Sequence, residues 1–177
     1  MDEKRLDINE IYDKYYRDVY HFALYFTNNK QEAEDITQET FIKIIKSIST
    51  LKDPDRLKTW ILSIARNTAM DLHRKRKFVS LFPEWVFDKE KDSITPEDRL
   101  IQKGEWTELH SALLKLKQQY RTVVILRGLK ELSIKETADI LGCSEAKVRV
   151  DYHRGLQLLK KQVLSNDEGW GLKDGQS

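Results

Sequence analysis

The residues best suited to chemistry lie between Arg56 and Lys77, where seven Lys and Arg stand against one acid, Asp71. Leu57, Trp60, Ile61, Ile64, Ala65 and Leu72 recur there at helical spacing, and the opposite face collects Arg56, Lys58, Arg66, Asn67, Asp71, Arg74, Lys75, Arg76 and Lys77. Cations in such a row track phosphates, while interleaved Asn and Asp side chains can hydrogen-bond base edges. The implied chemistry is recognition of a polyanion rather than bond making. A basic helix end that is merely solvated gives the same pattern, so the strip alone does not decide. Trp60 falls in the apolar row and is expected in the core rather than as a stacking platform.

A second cationic helix lies in LSIKETADILGCSEAKVRVDYHRGLQLLKK, residues 132–161. Ser133 and Glu136 have the spacing of a capping box, Gly142 suits the left-handed residue that ends a helix, and Ser144 can cap the next one. Ile134, Ala138 and Leu141 mark the inner face of the first helix; Val148, Tyr152, Leu156 and Leu159 mark that of the second. Lys147, Arg149, His153 and Arg154 fall elsewhere on the second helix. This is the pattern of a helix-turn-helix with a basic recognition helix, although a packed helical hairpin with a solvated face shares it.

These two helices need elements to position them. Apolar residues from Ile8 to Phe26 recur every three or four positions, which predicts an amphipathic helix. After TNNK, Asn29 can cap a second helix running to about Ser47, with Ala33, Ile36, Phe41, Ile44 and Ile48 inward. Its outer face shows Asp35, Gln38 and Glu39 at spacings of three and four, an acidic row flanked by Thr37 and by Phe41, which is counted on both faces, with both expected exposed beside the row. Such a row suits a basic protein partner, or is an ordinary solvated face. Asp53 and Pro54 give a cap and first-turn pair for the third helix.

FVSLFPEWVFDKEKDSIT, residues 78–95, breaks the helical period and reads as an interdomain linker whose aromatic half packs on a domain or partner. Thr95, Pro96 and Asp98 open a helix through about Leu116, with Leu100, Ile101, Trp106, Leu109, Leu113 and Leu116 inward. A further helix spans about Gln119 to Gly128. The expected fold is all-α: a helical domain at 1–77, the linker at 78–95, a second helical domain at 96–164, and a disordered, Gly-rich tail at 165–177. Net charge is only +2, an average over segments of opposite sign, and the basic strip is the footprint of a polyanion site.

Cys143 is the only cysteine, so no intramolecular disulfide forms within the chain. The four histidines lack ligand spacing, and no metal or other cofactor is expected. No nucleophile–base pair or phosphate loop is present, so an enzyme is not expected. With no apolar run of membrane-spanning length and no signal peptide, the expected location is the cytoplasm.

EAEDITQETFIKI at 32–44, RLKTWILSIARNTAMDLHRKRK at 56–77 and YRTVVILRGLKELSIKETADILGCSEAKVRVDYHRG at 120–155 resemble, in family order, regions 2.2, 2.3–2.4 and 4 of bacterial RNA polymerase sigma factors. The resemblance is to the extracytoplasmic-function group, the minimal sigma-70 members that keep regions 2 and 4. It implies that Asp35, Gln38, Glu39 and Phe41 bind the largest subunits of core RNA polymerase. It places Arg66, Asn67, Asp71, Arg74 and Lys75 at the −10 promoter element, and Ser144, Lys147, Arg149, Val150, His153 and Arg154 at the −35 element. It further implies promoter DNA as ligand, an anti-sigma partner of a kind often membrane-anchored, and a role in a stress or envelope response. A free-standing helix-turn-helix regulator is the alternative. Two departures carry expectations: Lys117, where the family has proline, predicts a looser or continuous turn, and Asp151 puts a negative charge near phosphates.

Overall fold

The computed structural model describes residues 7–79 and 105–167, and among these every regular element is helical. Residues 80–95 of the expected linker, the helix start at Thr95, the inward placement of Leu100, Ile101 and Trp106, and the Gly-rich end of the tail lie outside the residues or side chains described.

Helix α1 (Ile8–Thr27) starts at Asp7, whose carboxylate accepts the Asn9 amide at 2.8 Å, and ends at Asn28 in the left-handed region. Helix α2 (Lys30–Ser47) starts at Asn29, whose side chain accepts the Glu32 amide at 2.8 Å. Asp53 caps a 3-10 turn, Pro54–Arg56, that feeds helix α3 (Leu57–Val79). Val19, Phe22, Phe26, Ala33, Ile36, Ile44, Ile61, Leu62 and Ala65 are all but inaccessible and form the core of this first unit.

The second unit comprises α4 (Glu105–Lys115), α5 (Gln118–Val124) continuing into a π turn (Ile125–Leu129), α6 (Ile134–Leu141) and α7 (Glu145–Asp167). Both halves of the Ser133–Glu136 capping box form, and Gly142 adopts φ 62°, so the short turn of the helix-turn-helix follows from local sequence. The Ser133 hydroxyl, then its amide, hold the Glu136 carboxyl below its usual pKa. Gly155 lets α7 press on α5: a Cβ there would stand 2.7 Å from Val124 Cγ2. Leu156, expected inward, is consequently 40% exposed, because Gly155 occupies the contact position.

The Lys117 turn is neither loose nor continuous. Lys117 is extended (φ −56°, ψ 142°) and α5 begins at the next residue. Proline is dispensable because the Arg121 guanidinium binds the carbonyls at the end of α4: Leu113 O at 3.0 Å, which also accepts the Leu116 amide at 3.1 Å, Leu114 O at 2.7 Å and Leu116 O at 3.2 Å. Its fourth bond, to Phe26 O at 3.0 Å, reaches the end of α1 in the first unit.

The two units therefore share a seam. Ile125, Leu126, Leu132 and Ile140 are buried in the same apolar cluster as α1, α2 and α3. Lys130 pairs with Asp18 across it, and Arg56 at the start of α3 pairs with Asp139 of α6.

Arg121→Met is expected to lower stability by about 3–5 kcal/mol, since it removes the guanidinium donors of four carbonyls, of which Leu113 O keeps the Leu116 amide, and Arg121→Lys by about 1–3 kcal/mol; urea unfolding followed by circular dichroism measures both. The seam is also expected to weaken in acid. Burial lowers the pKa of His110, which lies 5.3 Å from the Tyr25 ring. Those of His21 and His73, both exposed, are lowered by partial desolvation first, His21 further by Lys130 and Arg17 against Asp18 and His73 by Arg121 and Lys77, and being open to solvent these two contribute less. The unfolded chain then takes up protons first, near pH 6.5, so stability is complete above that pH and declines as pH falls through the lowered folded values. Urea midpoints at pH 7.5 and 5.5 measure the decline, and His110→Gln should reduce it.

Candidate functional site

Three exposed surfaces carry the expected site residues. On α2, Asp35, Gln38 and Glu39 face solvent, and Gln31 Nε2 donates to Asp35 Oδ1 at 3.3 Å. The row continues by heptad spacing into Ile42 and Ile45, 44% and 56% exposed, giving an acidic patch with an apolar end. Phe41 does not belong to this surface. It is 6% exposed and packed against Tyr12 at 4.8 Å, so it shapes the helix from inside. Thr37 is likewise buried, its hydroxyl donating to Ala33 O at 2.6 Å. Positions 37 and 41 are shared by inner and outer rows in helical arithmetic, and packing claims them for the core.

Lys43 links this surface to the next. Its Nζ donates to Thr68 Oγ1 on α3 at 3.1 Å and lies 3.8 Å from Glu39 and 4.0 Å from Asp71. On α3, Arg66 is half-buried and donates through Nη1 to Asn67 Oδ1 at 3.0 Å; Asp71 accepts from Arg74 Nη2 at 2.5 Å. Asn67, Arg74 and Lys75 are exposed. This face therefore holds cations beside hydrogen-bonding side chains, already ordered by internal pairs.

Sequence reasoning missed a cleft at the head of α3. About 340 Å³ in volume, it is walled by the turn from Thr50 to Asp53 and by Arg56, Thr59, Trp60, Ser63 and Asp139. Trp60, expected in the core, is half-buried and forms one wall. The Asp53–Pro54 pair was the available signal, since a cap followed by a tight turn bends the chain away from the bundle.

On α7, Ser144 Oγ accepts the Lys147 amide at 3.2 Å, so this hydroxyl serves the cap. Lys147, Arg149, Val150, His153 and Arg154 are all exposed. Arg149 pairs with Glu145 at 3.0 Å. Asp151 does not face outward: it is 6% exposed and accepts from Lys147 Nζ at 2.5 Å, the bond that raises the Lys147 pKa. The negative charge expected near phosphates is thus turned into the unit and used to hold Lys147. Among the described residues, no group of three or more His, Cys, Asp or Glu is placed to hold a metal ion, and no helix is long and apolar enough to cross a membrane.

This sequence of surfaces, an acidic helix, a basic helix and a helix-turn-helix, has counterparts. Residues 11–79 match the model for sigma-70 region 2 and residues 106–159 that for sigma-70 region 4. The chain belongs to the sigma-70 family of RNA polymerase sigma factors. It is 35% identical over 158 residues to the ECF RNA polymerase sigma factor SigX of Bacillus subtilis, covering 86% of this chain and 81% of that one. RNA polymerase sigma factor YlaC of the same organism is 32% identical, covering 93% and 96%. Within the family, the chain is of the extracytoplasmic-function group. In fold it resembles the sigma factor RpoE from Bartonella quintana, solved with the anti-sigma factor NepR, at TM-score 0.74, 24% identity and coverage of 88% of this chain and 95% of that one. It also resembles CnrH, solved with the cytosolic domain of CnrY, at TM-score 0.68, 22% identity and coverage of 89% and 88%.

The burial of Phe41 and the exposure of Glu39 give contrasting expectations. Phe41→Ala should lower stability by about 3–5 kcal/mol, read as a drop in urea midpoint. Glu39→Lys, at an exposed position, should change stability by no more than about 0.5 kcal/mol in the same experiment.

Proposed function

We propose that this chain binds core RNA polymerase through the acidic patch of α2, reads the −10 element with α3 and the −35 element with α7, and so directs initiation at promoters of a stress or envelope response. One observation carries the reading above the rest. α7 turns Val148, Asp151 and Gly155 into its unit and presents Lys147, Arg149, Val150, His153 and Arg154 together on the outside, the arrangement by which a recognition helix enters a major groove. Asp35, Gln38 and Glu39, with Ile42 and Ile45, offer a surface complementary to basic helices of the polymerase largest subunits. Arg66, Asn67, Asp71, Arg74 and Lys75 supply the polar and cationic groups needed to hold an unstacked strand.

The proposed regulatory partner is an anti-sigma protein, a reading supported by the complex of RpoE with the anti-sigma factor NepR. A free-standing helix-turn-helix regulator would have no use for the region 2 surfaces.

Run-off transcription with purified core enzyme, on genomic fragments selected by the chain in complex with that enzyme, tests the proposal. Promoter-dependent product is expected only when both are present; a strong footprint on a palindrome without polymerase would establish the regulator instead. In the holoenzyme, Arg149→Ala and Arg154→Ala should each lower promoter affinity. A side chain that meets a phosphate should reduce the salt slope by about 0.9, and one that meets a base should relax preference at a single base pair.

A further inference from the structure

The cleft at the head of α3 is walled on one side by Asp139, an acid from the second unit; the other acid of the wall, Asp53, is engaged in capping the turn, its Oδ1 accepting the Asp55 amide at 3.0 Å. Arg56 and Lys52 supply cations, Thr59 and Ser63 hydroxyls, and Trp60 a flat ring. Cation, hydroxyl and ring together are what a single-stranded nucleotide engages. Asp139 comes from α6, 83 positions away in sequence, and its Oδ2 takes the Arg56 Nη2 donor. A guanidinium offers the same donors to a carboxylate as to a phosphate. Among the described residues, the only one that the second unit contributes to the cleft therefore occupies the group there best suited to a nucleic-acid backbone.

The seam that brings Asp139 into place also fixes the distance between the two DNA-reading helices. α7 packs on α6 and α6 on α3. At 8–10 Å per helix contact, α7 and α3 lie about 20 Å apart. Elements named −10 and −35 lie about 85 Å apart along B-form DNA, at 3.4 Å per base pair. Both helices cannot occupy their elements on a straight duplex while Asp139 stays on Arg56.

We propose that Asp139 is an autoinhibitory phosphate mimic, which holds Arg56 and covers the α3 cleft in the free chain and is withdrawn when the two units separate. The proposal rests on the promoter-reading function for its meaning, but its effect on nucleic-acid binding is measurable without polymerase. The Arg56 and Asp139 side chains are 55% and 39% exposed, so the pair is an exchangeable one rather than a buried lock.

The test is a double-mutant cycle on the full chain, titrated into a fluorescein-labelled single-stranded DNA oligonucleotide at low ionic strength and read by anisotropy. Asp139→Asn should tighten binding by about two- to fivefold, the range an exposed ion pair supports, and Asp139→Glu should match the parent. Arg56→Gln should weaken binding, and Arg56→Gln with Asp139→Asn should bind no better than Arg56→Gln alone. Urea midpoints of the four variants confirm that each remains folded under assay conditions. Equal binding by Asp139→Asn and the parent overturns the proposal, as does a gain that survives Arg56→Gln, or no binding by any variant. Loss of polymerase-dependent transcription with the cycle intact would count against the promoter-reading function alone. Intact transcription with a failed cycle would count against the mimic alone.

Discussion

A buried cation at the meeting point of two helix ends organises this molecule. Arg121 is 9% exposed, and its partners are carbonyl oxygens: three at the C-terminus of α4 and one at the C-terminus of α1. Burying a guanidinium is unfavourable unless its donors are matched. Helix C-termini match them twice over, because they carry unpaired carbonyls and the negative end of the helix dipole. The Phe26 ring, 5.7 Å from the guanidinium carbon, adds a face of negative potential. One side chain thus stops α4, starts the path into α5, and ties the second unit to the first.

That tie holds together a seam with more than one kind of contact. Its interior is apolar, through Ile125, Leu126, Leu132 and Ile140; its edges are ionic, through Lys130 with Asp18 and Arg56 with Asp139. The outer faces of α2 and α7 stay clear of it, and the head of α3 does not. The three surfaces are therefore unequally available in the free chain. Lys43, held between Thr68, Glu39 and Asp71, adds a polar connection from the acidic face of α2 to the basic face of α3 inside the first unit.

Features written in local spacing were legible in the sequence. The caps at Asn29, Asp53, Ser133 and Ser144, the left-handed Gly142 and the exposed basic residues of α7 each depend on neighbours within four positions. The features that escaped are set by which side chains meet in three dimensions rather than by spacing alone. Phe41 and Thr37 sit between two rows, and only contact with α1 and the rest of the core decides their side. Asp151 is inward because Lys147 can follow it and α5 lies beneath. The Lys117 turn is sharp because of a side chain four residues on that binds backward. The cleft needs Asp139 beside Arg56, a proximity no window along the chain contains. Helical periodicity places residues on faces but says nothing of which faces meet.

The apolar interior of the seam has a further consequence for any partner that must part the two units. Separation exposes Leu126 and Ile140 to water, so the separated form is a minority species in the free chain. A partner that needs that form binds with an apparent dissociation constant raised by the inverse of its population. Substitutions at Ile140 or Leu126, positions buried well away from the outer face of α2, would therefore change how tightly that face holds its partner. The concentration at which such a partner saturates the chain would in this way depend partly on residues outside the face it binds.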